Sequence, residues 1–294
     1  MLHNFVDWLA NIIFGNIKAM HTIIYGHRGA RGVYPENTIE GFLYAASLGI
    51  YGIEMDVVIS KDKKVVVSHE PWMNPLTCTK PDNSNVNFLR RKRLYKMNYE
   101  KIRQYDCGLL GNPDFPEQKR MRAYKPLLAE AIEAIELYTR NNNLPPIVYN
   151  IEIKSNWLDD YALYPPPDEY IELVMQELMP FNINDRILLQ SFDMRPLNVL
   201  HKKNTGCKIG MLVKNPYFIK SRMLGLTFTP DTCGIYYKNA TKKWIKRIHD
   251  MGMKAYVWTE NEKEDMQRHI TLGIDGIITD YPERAVEVMT GVPK

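Results

Sequence analysis

The stretch "GIEMDVVISKDKKVVVSH", residues 52–69, decides how the chain is read. Residues 52–59 are apolar and rich in β-branched side chains, which predicts a strand, and "VVVSH" at 65–69 predicts a second one after only four polar residues. A parallel neighbour would need a crossover of about a dozen residues or more. The second run must therefore fold back as the other arm of a hairpin. A symmetric four-residue loop over 61–64 would set Ser60 opposite Val65 and, counting down both arms, Asp56 opposite His69.

Outward from this hairpin, apolar runs recur at 22–25, 147–153, 186–190, 208–213, 234–237, 254–258 and 275–279. Helical patterns lie between them at 38–48, 127–140, 168–179, 193–203, 241–251 and 262–272. With 52–59 counted, eight strands alternate with helices over about 250 residues, the pattern of an α/β (β/α)8 TIM barrel. One such domain would occupy residues 1–294. Residues 70–126 break the alternation; they are polar, rich in Pro, Asn, Lys and Arg, and too long for an ordinary loop. They predict an inserted subdomain over the catalytic face. Within it Arg90, Arg91, Lys92 and Arg93 form a basic run, ordinarily a solvated surface but one that could attract anionic head groups.

Composition narrows the partner. The chain is 45% hydrophobic and 24% charged, enough for one large core, and its 38 basic and 34 acidic residues leave a net charge of only +4. That balance argues against nucleic acid and is compatible with a small anion. Residues 1–20 predict a short amphipathic helix, with Phe5, Trp8, Leu9, Ile12, Ile13 and Ile17 near one face, that caps one end of the domain. Asp7 and Asn11 interrupt its apolar run, so membrane contact is not expected, and without a clear signal peptide the compartment is cytoplasm or periplasm. The four cysteines show no zinc spacing. Cys78 and Cys107 flank a polar segment and could bridge in an oxidising compartment, but buried free thiols are the simpler expectation.

The chemistry concentrates at predicted strand ends, where a barrel places its active site. "YGHRGARGVYPENTIEGF", residues 25–42, is a glycine-rich strand-to-helix loop; Gly26, Gly29 and Gly32 would allow tight turns and leave backbone N–H groups to a small anion. Glu54 and Asp56 are two apart on one strand and point to one side; Glu152 and Lys154 repeat the arrangement on the next barrel strand. Three converging carboxylates repel one another unless a cation lies among them, and all-oxygen ligands favour Ca²⁺, Mg²⁺ or Mn²⁺ over zinc. The competing reading pairs Glu54 with Arg28 or Lys154 in a buried salt bridge; Glu152 and two aligned histidines favour the metal. His27 and His69 could serve as general base and general acid about a phosphate, with Arg28 and Lys154 supplying positive charge. His3, His21, His201, His249 and His269 fall near the terminus or on predicted helices and read as structural.

In order, "GHRGARGVYPENT", "IEMDVVISKDKKVVVSHE", "YNIEIK", "LLQSFD", "YVWTEN" and "DGIITDYPE" closely resemble the glycerophosphodiester phosphodiesterase family over roughly residues 22–286, with 70–126 matching least. The resemblance implies a barrel enzyme that hydrolyses glycerophosphodiesters such as glycerophosphocholine or glycerophosphoethanolamine to glycerol 3-phosphate and an alcohol. It implies His27 and His69 as the acid/base pair, Glu54, Asp56 and Glu152 as ligands to Ca²⁺ or Mg²⁺, Arg28 at the phosphate with Lys154 beside it, and Gln190 and Trp258 lining the pocket. Either the glycerol 2-hydroxyl, through a cyclic phosphate, or a water would be the nucleophile. Glu70 stands where the family commonly has Asp, and Glu260 where an apolar residue is usual; neither is expected to touch the chemistry. Other readings are a phospholipase D-like or lysophospholipase enzyme whose interface is the basic insertion and apolar N-terminus, and a non-catalytic glycerophosphodiester-binding protein. A glycosidase using Glu54 and Glu152 would leave His27, His69 and Arg28 unexplained.

Overall fold

A computed structural model describes residues 22–291. Nine strands form one sheet: β1 (Ile23–Gly26), β2 (Gly52–Ile59), β3 (Val65–Val67), β4 (Val148–Ile153), β5 (Ile187–Ser191), β6 (Lys208–Val213), β7 (Thr232–Tyr236), β8 (Lys254–Trp258) and β9 (Gly276–Thr279). All but β3 are parallel to their neighbours, and β1 pairs with both β2 and β9, which closes an eight-stranded barrel. Helices run between the strands, beginning with α1 (Ile39–Ser47), whose first turn is capped by Thr38 Oγ1 accepting the Gly41 N–H at 3.2 Å. Helices Ile219–Met223 and Pro282–Thr290 add to those the periodicity predicts. The expected helix at 1–20 lies outside the described residues, among which no helix is long and apolar enough to cross a membrane.

The strand pleat divides the buried side chains into two populations. Ile53, Met55 and Val57 of β2 join a large apolar cluster with Phe42, Ile132, Ile151 and Val174, the layer between barrel and helices. A small second cluster of Tyr25, Leu188, Tyr256 and Ile278 fills the barrel interior. Glycines make room for its rings: a Cβ on Gly52 would lie 2.4 Å from the Tyr25 ring and one on Gly276 2.7 Å from Tyr256. Glu54 and Asp56 alternate with the outer set on β2 and take the inward direction.

The hairpin forms, with a register one residue from the symmetric expectation. Ile59 pairs with Val65 and Val57 with Val67, so Asp56 stands level with Ser68, whose N–H it accepts at 2.9 Å, and not with His69. The loop is three residues long. Lys63 takes a left-handed φ of 62° and donates its N–H to Ser60 O at 3.1 Å, while Ser60 Oγ accepts the Lys64 N–H at 2.9 Å.

Residues 70–126 contain two short helical turns, Leu94–Lys96 and Tyr99–Ile102, and contribute Met73, Val86, Leu94, Ile102 and Tyr105 to the main apolar cluster. Cys78 and Cys107 are joined by a disulfide, which corrects the expectation of free thiols. The pairing of Thr79 N–H with Asp106 O at 2.7 Å brings their neighbours' Cα atoms to 3.9 Å. Cys207 and Cys233 are free thiols. Cys107→Ser, or reduction of the native chain, should lower unfolding stability by about 2–4 kcal/mol. Urea unfolding with and without reductant checks this; identical midpoints would mean the bridge carries no stability.

Candidate active site

His27 follows β1 directly, its N–H donating to Thr279 O at 2.7 Å across the barrel seam. The loop then reverses sharply through Arg28 (φ 49°) and Gly29 (φ 88°). A Cβ on Gly26 would sit 2.0 Å from Gly29 O, and one on Gly29 2.8 Å from the Gly41 carbonyl carbon, so this turn cannot carry side chains at either place. The expectation that the loop glycines leave N–H groups for an anion is corrected. Gly29 N–H lies 3.2 Å from Gly26 O and 3.3 Å from Glu54 O, Gly32 N–H donates to Asp280 O at 2.9 Å, and Arg28 N–H donates to Glu54 Oε2 at 2.9 Å. The loop spends its donors on holding His27 and Glu54, and side chains are left to meet a ligand.

His27 Nδ1 bonds Asp280 Oδ1 at 2.6 Å, which leaves Nε2, 3.9 Å from Glu54 Oε2, as the free ring nitrogen. Burial dominates its titration and lowers it to about 4; the Asp280 carboxylate pulls upward, and the Arg28 and Arg31 charges push down. Burial would raise Asp280, but His27 and Arg31 outweigh it and hold the carboxyl well below its usual range. Asp280 also accepts from Arg31 Nε at 2.8 Å and from Asn261 Nδ2 at 2.9 Å. Sequence reasoning gave Asp280, Arg31 and Asn261 no role, although "DGIITDYPE" contains the aspartate immediately after a strand.

The three carboxylates do converge. Glu54, Asp56 and Glu152 are buried, and one oxygen from each lies within 4.8 Å of the others. Ion pairs surround the carboxylates, but not the alternative expected at Glu54: Arg28 Nε approaches Asp56 Oδ2 at 3.2 Å and Nη1 reaches Glu36 at 2.8 Å, while Lys154 Nζ donates to Glu152 at 2.6 Å. Glu54 is taken by the Arg28 backbone, and not by its guanidinium. Counted with every carboxylate ionised and His27 and His69 neutral, six carboxylates in this network (Glu36, Glu54, Asp56, Glu70, Glu152, Asp280) meet four cations (Arg28, Arg31, Lys125, Lys154), two charges short of balance. Burial, then Asp56 and Glu152, push Glu54 well above the usual carboxyl range against the pull of Arg28. Glu152 is likewise raised by burial and Asp56 despite Lys154. Burial is overcome at Asp56, which Arg28, Lys154, His69 and the Asn37 amide hold low. Asp56 Oδ1 is buried without a hydrogen-bond partner, as are both amide atoms of Asn150, across the ladder from Glu54. Hard oxygen donors, a buried Asp56 Oδ1 with no hydrogen bond and only the Lys154 ammonium at 3.5 Å, and a two-charge deficit on that count fit a divalent cation.

His69 reaches the same cavity, about 130 Å³, as His27, Arg28, Glu54, Glu152 and Lys154. Gln190 of β5, level with Glu152, and Trp258 at the end of β8 line it as expected, with Arg31, Phe192, Leu212 and Ile278 added. Phe192 meets the Trp258 ring edge-on at 5.4 Å. His69 Nδ1 bonds Glu70 Oε1 at 3.0 Å, so the expectation that Glu70 stands apart from the candidate chemistry is corrected. Burial would raise Glu70, but His69, then Lys125 and Arg28, bring it down to about 2. Lys125, buried at the end of the insertion, donates to Ser68 Oγ at 2.8 Å, and Ser68 Oγ in turn donates to Glu70 O. Glu260 does stay out of the cavity; it is fully buried against His269, its oxygen 2.6 Å from Nδ1, while His269 Nε2 reaches Ala240 O.

Residues 27–284 match the sequence profile of the glycerophosphoryl diester phosphodiesterase family. A glycerophosphodiester phosphodiesterase of Caldanaerobacter subterraneus subsp. tengcongensis is 30% identical over 274 residues, 92% of this chain and 98% of that one. A crystal structure of a Silicibacter pomeroyi DSS-3 chain covers 92% of this chain and 94% of its own at TM-score 0.79 and 26% identity. That of an Oleispira antarctica phosphodiesterase, in complex with its product sn-glycerol-3-phosphate, covers 92% and 97% at TM-score 0.71; at 22% identity it speaks to the fold.

The charge deficit predicts that Mg²⁺ or Ca²⁺ raises the melting temperature of chelator-treated protein. Because Glu54 and Glu152 titrate above the usual range, they hold protons longer as pH falls, so metal affinity should rise with pH and binding should release protons. Calorimetry in buffers of different ionisation enthalpy reads that release; Glu152→Gln should weaken binding by at least about tenfold. Metal affinity independent of all three carboxylates would place the ion elsewhere.

Proposed function

The chain belongs to the glycerophosphoryl diester phosphodiesterase family, and on that premise we propose that it hydrolyses glycerophosphodiesters to sn-glycerol 3-phosphate and an alcohol, with His27 and His69 transferring the protons. The observation that carries the proposal is the pairing of two imidazoles with carboxylates on one cavity: His27 Nδ1 on Asp280, with Nε2 3.9 Å from Glu54, and His69 Nδ1 on Glu70, both histidines lining the cavity with Glu54 and Glu152. A non-catalytic binder has no use for such a pair. The product complex of the Oleispira antarctica enzyme supports the substrate class.

His27 suits the base. Its Nδ1–H is committed to Asp280 and its lowered titration keeps Nε2 unprotonated at neutral pH, ready to take a proton from the glycerol 2-hydroxyl or a water. His69, more exposed and held by Glu70, returns a proton to the departing alcohol oxygen as the P–O bond breaks. Attack by the 2-hydroxyl leaves a cyclic phosphate that water then opens; attack by water reaches the same products in one step. Arg28 and Lys154 bring positive charge to the phosphate side, and Phe192 and Trp258 form an apolar wall for the carbon skeleton. A Ca²⁺ or Mg²⁺ at Glu54, Asp56 and Glu152 would neutralise a phosphate oxygen and acidify the nucleophile.

Assays on glycerophosphocholine and glycerophosphoethanolamine, following glycerol 3-phosphate release with and without chelator, test the reaction. His27→Ala and His69→Ala should each lower turnover about 10² to 10⁴-fold; near-normal turnover in either variant removes that histidine from proton transfer. A base whose titration lies at about 4 is already active in mildly acidic solution. The acid limb of kcat/KM should therefore fall well below pH 6, and Asp280→Asn, which removes the upward pull on His27, should move it lower still while reducing kcat. A limb at the ordinary histidine value in both proteins would contradict the assignment.

A further inference from the structure

We propose that the exposed tip of the 70–126 segment is a docking surface for anionic lipid bilayers, made of Phe88 and Leu89 set in a belt of lysine and arginine side chains. The inference goes beyond the hydrolytic reading and does not rest on it.

Charge is the first observation. Residues 70–126 hold twelve basic and six acidic residues, net +6, in a chain whose total is +4, so the remainder is net −2. The excess gathers on one side of the insertion. Arg91, Lys92, Arg93, Lys96 and Lys101 border a cavity of about 660 Å³, and the hairpin turn adds Lys61 to it. Among the described residues, Arg90, Lys92, Arg93, Lys61 and Lys101 make no side-chain hydrogen bond or ion pair. Exposed cations elsewhere are commonly matched: Lys63 with Glu169, Lys203 with Glu172, Lys246 with Asp250 and Lys263 with Glu287. Unpaired lysines occur elsewhere too, but this segment carries a net +6 and gathers unpaired cations around one cavity.

The second observation is apolar. Leu89 is 95% exposed and Phe88 55% exposed, immediately before the four basic residues. Their presentation is built: Asn87 Oδ1 accepts the N–H of Leu89 at 2.8 Å and of Arg90 at 3.0 Å, closing a turn with the two side chains outside. The turn is anchored to the body of the protein, since Met73 N–H donates to Lys92 O at 2.9 Å and Leu94 N–H to Pro71 O at 2.8 Å, with Arg91 stacked over Trp72 at 5.0 Å. An anionic bilayer satisfies both halves, acyl chains receiving Phe88 and Leu89 while head-group phosphates meet the belt. A nucleic acid would satisfy the charge alone and leave the leucine in water.

Co-sedimentation of the full chain with vesicles of phosphatidylcholine, alone or mixed with phosphatidylglycerol, tests this. The expected result is binding to mixed vesicles only, weakening with salt. Replacing Arg90, Lys92 and Arg93 together by Gln should weaken it on the order of 10²-fold. Phe88→Ser with Leu89→Ser should weaken it roughly tenfold or more. Both variants alter exposed side chains, so melting temperature and hydrolysis of a soluble substrate should match the parent. Absence of binding to mixed vesicles, equal binding to neutral ones, retention of full binding by the Gln variant, or preference for single-stranded RNA over mixed vesicles would each overturn the proposal.

Discussion

Three buried carboxylates with oxygens within 4.8 Å of one another impose the terms on which the barrel mouth is built. Nothing apolar can surround such a group, because each charge removed from water needs a partner or must give up its ionisation. The nearby features follow from this. The loop after β1 folds back through a left-handed Arg28 so that its N–H meets Glu54 and its guanidinium meets Asp56; Asn37 and Lys154 take further lone pairs. With both histidines neutral and every carboxylate ionised the network stays two positive charges short, which is compatible with a divalent cation among the three carboxylates.

The two histidines show how one side-chain type is given two settings. His27 is buried against a carboxylate that is itself clamped by Arg31 and Asn261, so its orientation depends on the seam between β1 and β9. His69, just past β3, is more exposed, and its carboxylate partner is the adjacent residue. Burial lowers the titration of the first, and a hydrogen bond to its own neighbour orients the second.

How far the sequence could be read depends on the range of the interaction. The strands were legible because β-branched runs and polar spacers are local, and Glu54, Asp56 and Glu152 were legible because alternation along a strand fixes their side. The hairpin register slipped by one because Lys63 adopts a left-handed φ, which a glycine or asparagine would have signalled and a lysine does not. Asp280 escaped because it is 253 residues from His27 and only barrel closure makes them neighbours. The Cys78–Cys107 bridge depends similarly on a backbone pairing between residues 79 and 106. Glu70 was read only as a departure from the family's usual Asp; the ladder ends at Val67, so beyond it the side chains of His69 and Glu70 are free to meet.

The insertion joins these themes. It supplies Lys125, the buried cation that reaches Ser68 and Glu70 behind His69, and its Phe115 ring lies 4.7 Å from the guanidinium of Arg31, which clamps Asp280. One segment therefore supports the carboxylate partners of both histidines, through different residues. It is more than a detachable cover: it carries Glu70 and the Lys125 behind it, and its Phe115 packs on the Arg31 that bonds Asp280. Its outer surface faces no such constraint, and there the sequence carries exposed leucine and unpaired basic residues. Constraint inside and freedom outside allow the same fifty-seven residues, 70–126, to brace the surroundings of His69 and Arg31 while presenting a separate surface chemistry to solvent.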